Sequence, residues 1–215
     1  MTHAPLTSLS VRDLAERLAS RAPVPGGGSA AAIGGALGAS LVGMVAELTI
    51  GRPDAADRDE VLRDVRDAAA GLRDQLLDLA ETDAAAYDAV MTARRLPKTT
   101  DAERDERTRR MRHTILEAAR VPLETARRSR EVLDLAVRIA PIGNRNAISD
   151  AGVAAQLASA AVRGAVLNVR INLPYLPADE PLRHEAAHEA SMLEAAAVQR
   201  EDEVLSAVSL LLEEG

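Results

Sequence analysis

Apolar positions along this chain recur at spacings of three and four, and no stretch shows the alternation that marks an amphipathic strand. The pattern predicts helices throughout. Ser10 opens the first, about Val11–Ala19, with Asp13 at the capping-box position. A second runs from about Ser29 to Thr49, and Gly51-Arg52-Pro53 breaks the chain behind it. A long helix follows from about Ala56 to Arg95, stopped by Pro97. Thr100 and Glu103 form a second capping box, opening a helix to about Ile139 that Pro122 is expected to kink or divide. Ser149 caps a further helix to about Asn172. Pro174, Pro177 and Pro181 punctuate a loop, and a last helix extends to about Glu213. No repeat or low-complexity linker intervenes. The expectation is all-α: a single-domain bundle of about six to eight helices over residues 1–215.

The long helix has a heptad-like seam of Val61, Val65, Ala68, Leu72, Leu76, Leu79, Asp83, Ala86 and Val90. Asp83 stands where an apolar residue is expected. A buried carboxylate is costly unless paired or hydrogen-bonded, and its pKa rises, as a general acid or base near neutral pH requires. Tyr87, four residues on, shares its face. The plain structural alternative is an Asp that caps a helix or pairs with an Arg of a neighbouring one.

The second helix is preceded by Pro25-Gly26-Gly27-Gly28-Ser29. Ser29 reads as its N-cap. A glycine turn opening onto a helix N-terminus suits an anionic or carbonyl-bearing ligand, and equally serves as a tight turn before a close-packed helix. Ala30 to Ala46 carries no charge, but it is short for a membrane span and built from Ala, Gly and Ser. Gly34 and Gly38 form a small-xxx-small pair. The run is read as a helix buried on nearly all sides, at a subunit interface, not in a membrane.

Composition narrows the chemistry. There is no Cys, Phe or Trp, so no thiolate nucleophile or cysteine metal site exists and the core must be aliphatic. Tyr87 and Tyr175 are the only aromatic residues, and Lys98 is the only lysine. The net charge of −7 argues against nucleic acid or an anionic membrane as partner. The N-terminus shows no secretion signal, so a cytoplasmic location is expected.

Three polar groups compete as sites. His184-Glu185-Ala186-Ala187-His188 matches the zinc-protease pattern, but no extended Gly-x-x-His follows, and Arg183 and Glu189 suggest a solvated face. Gly143-Asn144-Arg145-Asn146-Ala147-Ile148-Ser149-Asp150 precedes a helix bearing Asn168, Arg170 and Asn172. Arg94-Arg95-Leu96-Pro97-Lys98 closes the Asp83 helix, either as solvated capping or as a docking point for an anionic tail.

Together these motifs resemble the cyclodeaminase/methenyltetrahydrofolate cyclohydrolase family, over about Ser10 to Val208. The resemblance rests on the glycine turn with its Ala/Gly helix, Asp83-Ala84-Ala85-Ala86-Tyr87, Arg95-Leu96-Pro97-Lys98, Val121-Pro122-Leu123, Gly143 through Asp150, and Leu167-Asn168-Val169-Arg170-Ile171-Asn172-Leu173. It implies an all-helical homodimer that either hydrolyses 5,10-methenyltetrahydrofolate or cyclises 5-formiminotetrahydrofolate with loss of ammonia, without metal or other cofactor. It makes Asp83 the acid/base. It gives Pro25, Gly26, Gly27, Gly28 and Ser29 contacts to the pteridine, Tyr87 a stacking role, and Arg95 and Lys98 the glutamate tail. Asn144, Asn146, Asp150 and Asn168 join the binding set. The chain carries no formimidoyltransferase half, which raises the hydrolytic reading. Two other readings stand beside it: a folate-binding or assembly dimer without catalysis, and a zinc hydrolase through His184 and His188.

Overall fold

The computed structural model describes residues 4–213, and among these there are six α-helices and no strand. They are α1 (Val11–Leu18), α2 (Gly27–Glu47), α3 (Asp59–Arg94), α4 (Asp101–Ile139), α5 (Ile148–Asn172) and α6 (Pro181–Glu213), with short 3-10 turns between several of them. Ser10 caps α1 by accepting from the Asp13 N–H, and the Thr100–Glu103 capping box opens α4 as expected. The chain from Pro53 to Arg58 is a 3-10 turn, so α3 starts three residues later than the periodicity suggests.

Small residues determine how the helices meet. α2 packs against α3, α4 and α5. Its Ala32, Ala36, Ala39 and Ala46 are fully or almost fully buried, as are Ala154, Ala155 and Ala158 of α5. At Gly38 an added Cβ would lie 2.9 Å from the Ala154 carbonyl, a backbone atom that cannot swing aside. At Gly35 it would lie 2.6 Å from Ser129 Oγ. Gly34 faces open space, so the close-approach pair is Gly35 and Gly38 rather than Gly34 and Gly38. Nor is α2 buried all round: Leu37, Met44 and Leu48 are exposed in a stripe down its outer side. Residues 27–47 and 145–175 are long and apolar enough to cross a membrane, but here half or more of each apolar stretch is buried inside the bundle.

On α3 the buried residues are Leu62, Val65, Ala69, Leu72, Leu76, Ala80 and Ala93. Val61 and Ala68, assigned to the seam, are exposed: the buried stripe keeps the three-and-four spacing but takes Leu62 and Ala69 in their place, so that Leu62, Ala69, Leu76 and Asp83 follow at intervals of seven. α4 runs unbroken through Pro122. Proline has no N–H, so the carbonyl four residues back loses its helical donor. That carbonyl, Ala118 O, accepts instead from Asn172 Nδ2 of α5 at 2.8 Å. A side chain from the neighbouring helix thus replaces the missing bond and ties α4 to α5. Arg127 of α4 similarly grips Glu189 of α6 through two bonds of 2.6 Å.

Candidate active site

α2 begins at Gly27, with Gly26 as N-cap and no side-chain cap. Ser29 is therefore not the cap but the third helical residue, and it is fully buried. Its hydroxyl crosses to α3, lying 3.0 Å from the Ala80 carbonyl and 2.9 Å from Asp83 Oδ2. Gly28 is where the helices come closest: a Cβ there would lie 2.1 Å from Asp83 Oδ1. Only glycine lets the carboxyl sit against the start of α2. Free N–H groups and the positive dipole end favour negative charge at that point.

Burial pushes the Asp83 carboxyl above the ordinary aspartate range, and the hydroxyl and backbone N–H of Ser29 oppose this without cancelling it. Asp83 has no ion pair among the described residues; its partner is Ser29. One hydroxyl proton facing two acceptors gives Ser29 a specific capability. It donates to the ionised carboxylate, and it can turn to Ala80 O and accept from Asp83 when the carboxyl is protonated. Both protonation states have a hydrogen-bonded arrangement.

Asp83 lines a cavity of about 360 Å³ between α2, α3, α4 and α5. Gly26, Gly27 and Gly28 form one wall, and Ala86, Tyr87 and Val90 continue along α3. Ile115 and Ala118 face them from α4, and Asn168 and Asn172 from α5. Asn168 donates to the Gly164 carbonyl, and Asn172 to the carbonyls of Ala118 and Asn168, so protein acceptors hold both amide groups in place. The lining thus combines a titratable carboxyl, oriented amides, the glycine-rich start of α2 and aliphatic walls. Such a cavity can bind a flat, partly apolar molecule and exchange a proton with it.

Residues 10–192 match the family model of formiminotransferase-cyclodeaminase. The chain belongs to the formiminotransferase-cyclodeaminase family. A methenyltetrahydrofolate cyclohydrolase of Methylorubrum extorquens is 46% identical over 163 residues, covering 76% of this chain and 78% of that protein. The formimidoyltransferase-cyclodeaminase of Rattus norvegicus is 35% identical over 188 residues, which are 87% of this chain and 35% of the rat protein. The chain thus spans about a third of that longer relative. A formiminotetrahydrofolate cyclodeaminase crystal structure from Thermotoga maritima matches with a TM-score of 0.85 at 28% identity, covering 96% of this chain and 99% of the other.

Of the residues that the family resemblance singles out, the fold brings Gly26, Gly27, Gly28, Asp83, Tyr87 and Asn168 to one cavity, with Ser29 directly behind. Pro25 is buried and does not line it. Arg95 and Lys98 are exposed and do not line it either. Asn144 and Asn146 lie at the other end of α2, roughly 30 Å away by helix length. There Asn144 donates to the Leu48 carbonyl and accepts from the Asn146 N–H, which knits the turn to the end of α2. Asp150 sits in the first turn of α5, away from the cavity. Ser149 does not cap α5, which starts at Ile148.

The cavity also holds Arg94 and Asn172, which stand in the polar clusters of the sequence but outside its binding set, and Tyr175, which has no site role there. A signal for Tyr175 was present: the chain has two aromatic residues, and both line this cavity. His184 and His188 are exposed on α6, and among the described residues no three His, Cys, Asp or Glu side chains are placed to hold a metal ion. Glu189 beside them is engaged by Arg127. The zinc-hydrolase reading has no ligand set here.

Proposed function

We propose that this chain is a methenyltetrahydrofolate cyclohydrolase, adding water to the one-carbon bridge of 5,10-methenyltetrahydrofolate to give 10-formyltetrahydrofolate. The observation that carries this reading is the partly buried, ion-pair-free Asp83 on the wall of a cavity sized for a flat ring. The 46% identity to a cyclohydrolase over about three-quarters of both chains supports hydrolysis over cyclisation. In the proposed mechanism Asp83 accepts a proton from water as its oxygen attacks the carbon between the two nitrogens. The bond from that carbon to N5 then breaks, N5 takes a proton, and the hydroxyl proton leaves as the formyl carbonyl forms. Asn168 and the glycine turn orient the pteridine, and Tyr87 stacks beside it. No metal or other cofactor enters these steps, and the enzyme works in the cytoplasm.

A second reading, cyclisation of 5-formiminotetrahydrofolate, is favoured by the likeness to the Thermotoga maritima cyclodeaminase. It uses the same carbon, with Asp83 protonating the departing ammonia. A non-catalytic folate binder is disfavoured, because it would suit an Asp83 salt-bridged and shielded from the cavity. An absorbance assay in the presence of a chelator decides among these. Loss of the near-ultraviolet band of methenyltetrahydrofolate reports hydrolysis, and its growth from the formimino substrate reports cyclisation. Neither signal would leave only binding.

Ser29→Ala tests the proton chemistry. The hydroxyl stabilises the ionised form of Asp83, so its loss raises the carboxyl pKa further. The acidic limb of the kcat/KM profile is expected to move to higher pH. A profile that keeps its limb and only drops in height would assign Ser29 to packing alone.

The reading also includes a homodimer. Leu37 and Met44 of α2, with Leu48 just past its end, follow at spacings of seven and four on one side of the helix and are 38–53% exposed. Pairing two copies across this face would cover it. Light scattering on the purified protein is expected to give twice the chain mass; a monomer at micromolar concentration would rule this out.

A further inference from the structure

The cavity is polar at both ends along α3 and apolar between them. Asp83 and Arg94 lie eleven residues apart on this helix. Eleven residues advance about three turns with some 20° of excess, so both side chains leave nearly the same face, roughly 16 Å apart along the axis. Ala86, the ring of Tyr87, Val90 and Met91 fill the interval. Among the described residues Arg94 is the only cation that lines the cavity. Its guanidinium lies 5.9 Å from the ring centroid of Tyr175, and no carboxylate pairs with it among the described residues. Arg95, one residue on, is rotated by about 100° and lies off the cavity.

An arginine held by an aromatic face, at the exposed end of a cavity and without a counter-ion, has an unused set of planar donors. In a chain of net charge −7 an anionic ligand group is otherwise repelled. We infer that Arg94, braced by Tyr175, is the specificity determinant for a carboxylate tail carried about three helical turns from the reacting carbon. This rests on the folate reading above, in which the tail is the glutamate joined through the benzoyl ring. The ring lies over Val90 and Met91, and the glutamate carboxylates meet the guanidinium. Tail recognition thereby belongs to Arg94, not to Arg95 or Lys98.

The test compares methenyltetrahydrofolate with its glutamate-free counterpart, methenyltetrahydropteroate, on the wild type, Arg94→Met and Arg94→Lys. Charge-assisted bonds to a carboxylate set the expected scale at ~10- to 100-fold. The wild type is expected to show a KM lower by that factor for the tail-bearing substrate, with similar kcat. Arg94→Met raises KM for that substrate alone and removes its sensitivity to salt, while Arg94→Lys keeps part of the preference. Equal KM increases for both substrates in Arg94→Met, or no preference in the wild type, would overturn the inference. Calorimetric titration of the same two ligands runs beside the kinetics. A wild type without turnover would defeat the functional reading, and the tail inference would then stand or fall on whether Arg94→Met abolishes a difference in Kd.

Discussion

Asp83→Asn is expected to lower kcat by at least ~100-fold while leaving the fold at least as stable at neutral pH. The loss follows from removing the one carboxyl that lines the cavity among the described residues, since general acid–base catalysis typically contributes ~10²- to 10⁴-fold. The stability arm follows from the raised pKa. With a pKa higher in the folded than in the unfolded chain, the folded state binds more protons between the two values, so Asp83 makes stability fall as pH rises through that interval. Below the ordinary aspartate value both states are protonated and the effect vanishes; above the raised value the destabilisation is complete. Asparagine carries no charge and avoids it. Thermal melts of the two proteins should therefore diverge in favour of the variant as pH rises, and converge in acid. Activity within tenfold of wild type would remove Asp83 from the chemistry. A cooperative melt lost at every pH would mean that the carboxylate is chiefly the structural partner of α2.

Gly28→Ala is expected to cost a comparable factor in activity, again with little effect on the melting temperature. The new Cβ would occupy space 2.1 Å from Asp83 Oδ1, so the carboxyl must swing away from Ser29. Because the atom in the way is the end of a side chain and not backbone, the bundle need not separate. Alanine also favours the helix by about 1 kcal/mol over glycine, which offsets part of the lost contact. A misplaced base is penalised in rate far more than in stability. The expected signature is a kcat loss of ~100-fold or more with a melting temperature within a few degrees of wild type. Combining Gly28→Ala with Asp83→Asn should add little further loss, since both remove the same positioned group. Full additivity of the two losses would show that Gly28 acts elsewhere.

Much of this was legible in the residues themselves. The apolar spacing of three and four is a property of each segment, and it predicted every long helix with ends near those observed. The side-chain cap at Ser10 and the capping box at Thr100 are local too, closed within four residues. Asp83 was conspicuous because a carboxylate interrupts an apolar stripe, and Tyr87 followed from helical geometry alone. The failures share a cause. Ser29 has the composition of an N-cap, but its hydroxyl is taken by a carboxyl fifty-four residues away. Pro122 is a helix breaker by local rule, yet Asn172 of another helix supplies the missing donor. Within the Arg94–Lys98 cluster, likewise, it is the rotation of α3 against its neighbours that decides which residue lines the cavity, and that residue is Arg94.

The sequence by itself determined the helices, the aliphatic small-residue core and the presence of one anomalous carboxylate, because these depend on periodicity and composition within single segments. Only the tertiary structure decided that the glycine turn stands against Asp83, that Asn168 and Tyr175 join them, and that Asn144 and Asn146 lie at the far end of α2. Those relations depend on how closely and in what rotation helices pack, which atoms distant in the chain settle among themselves.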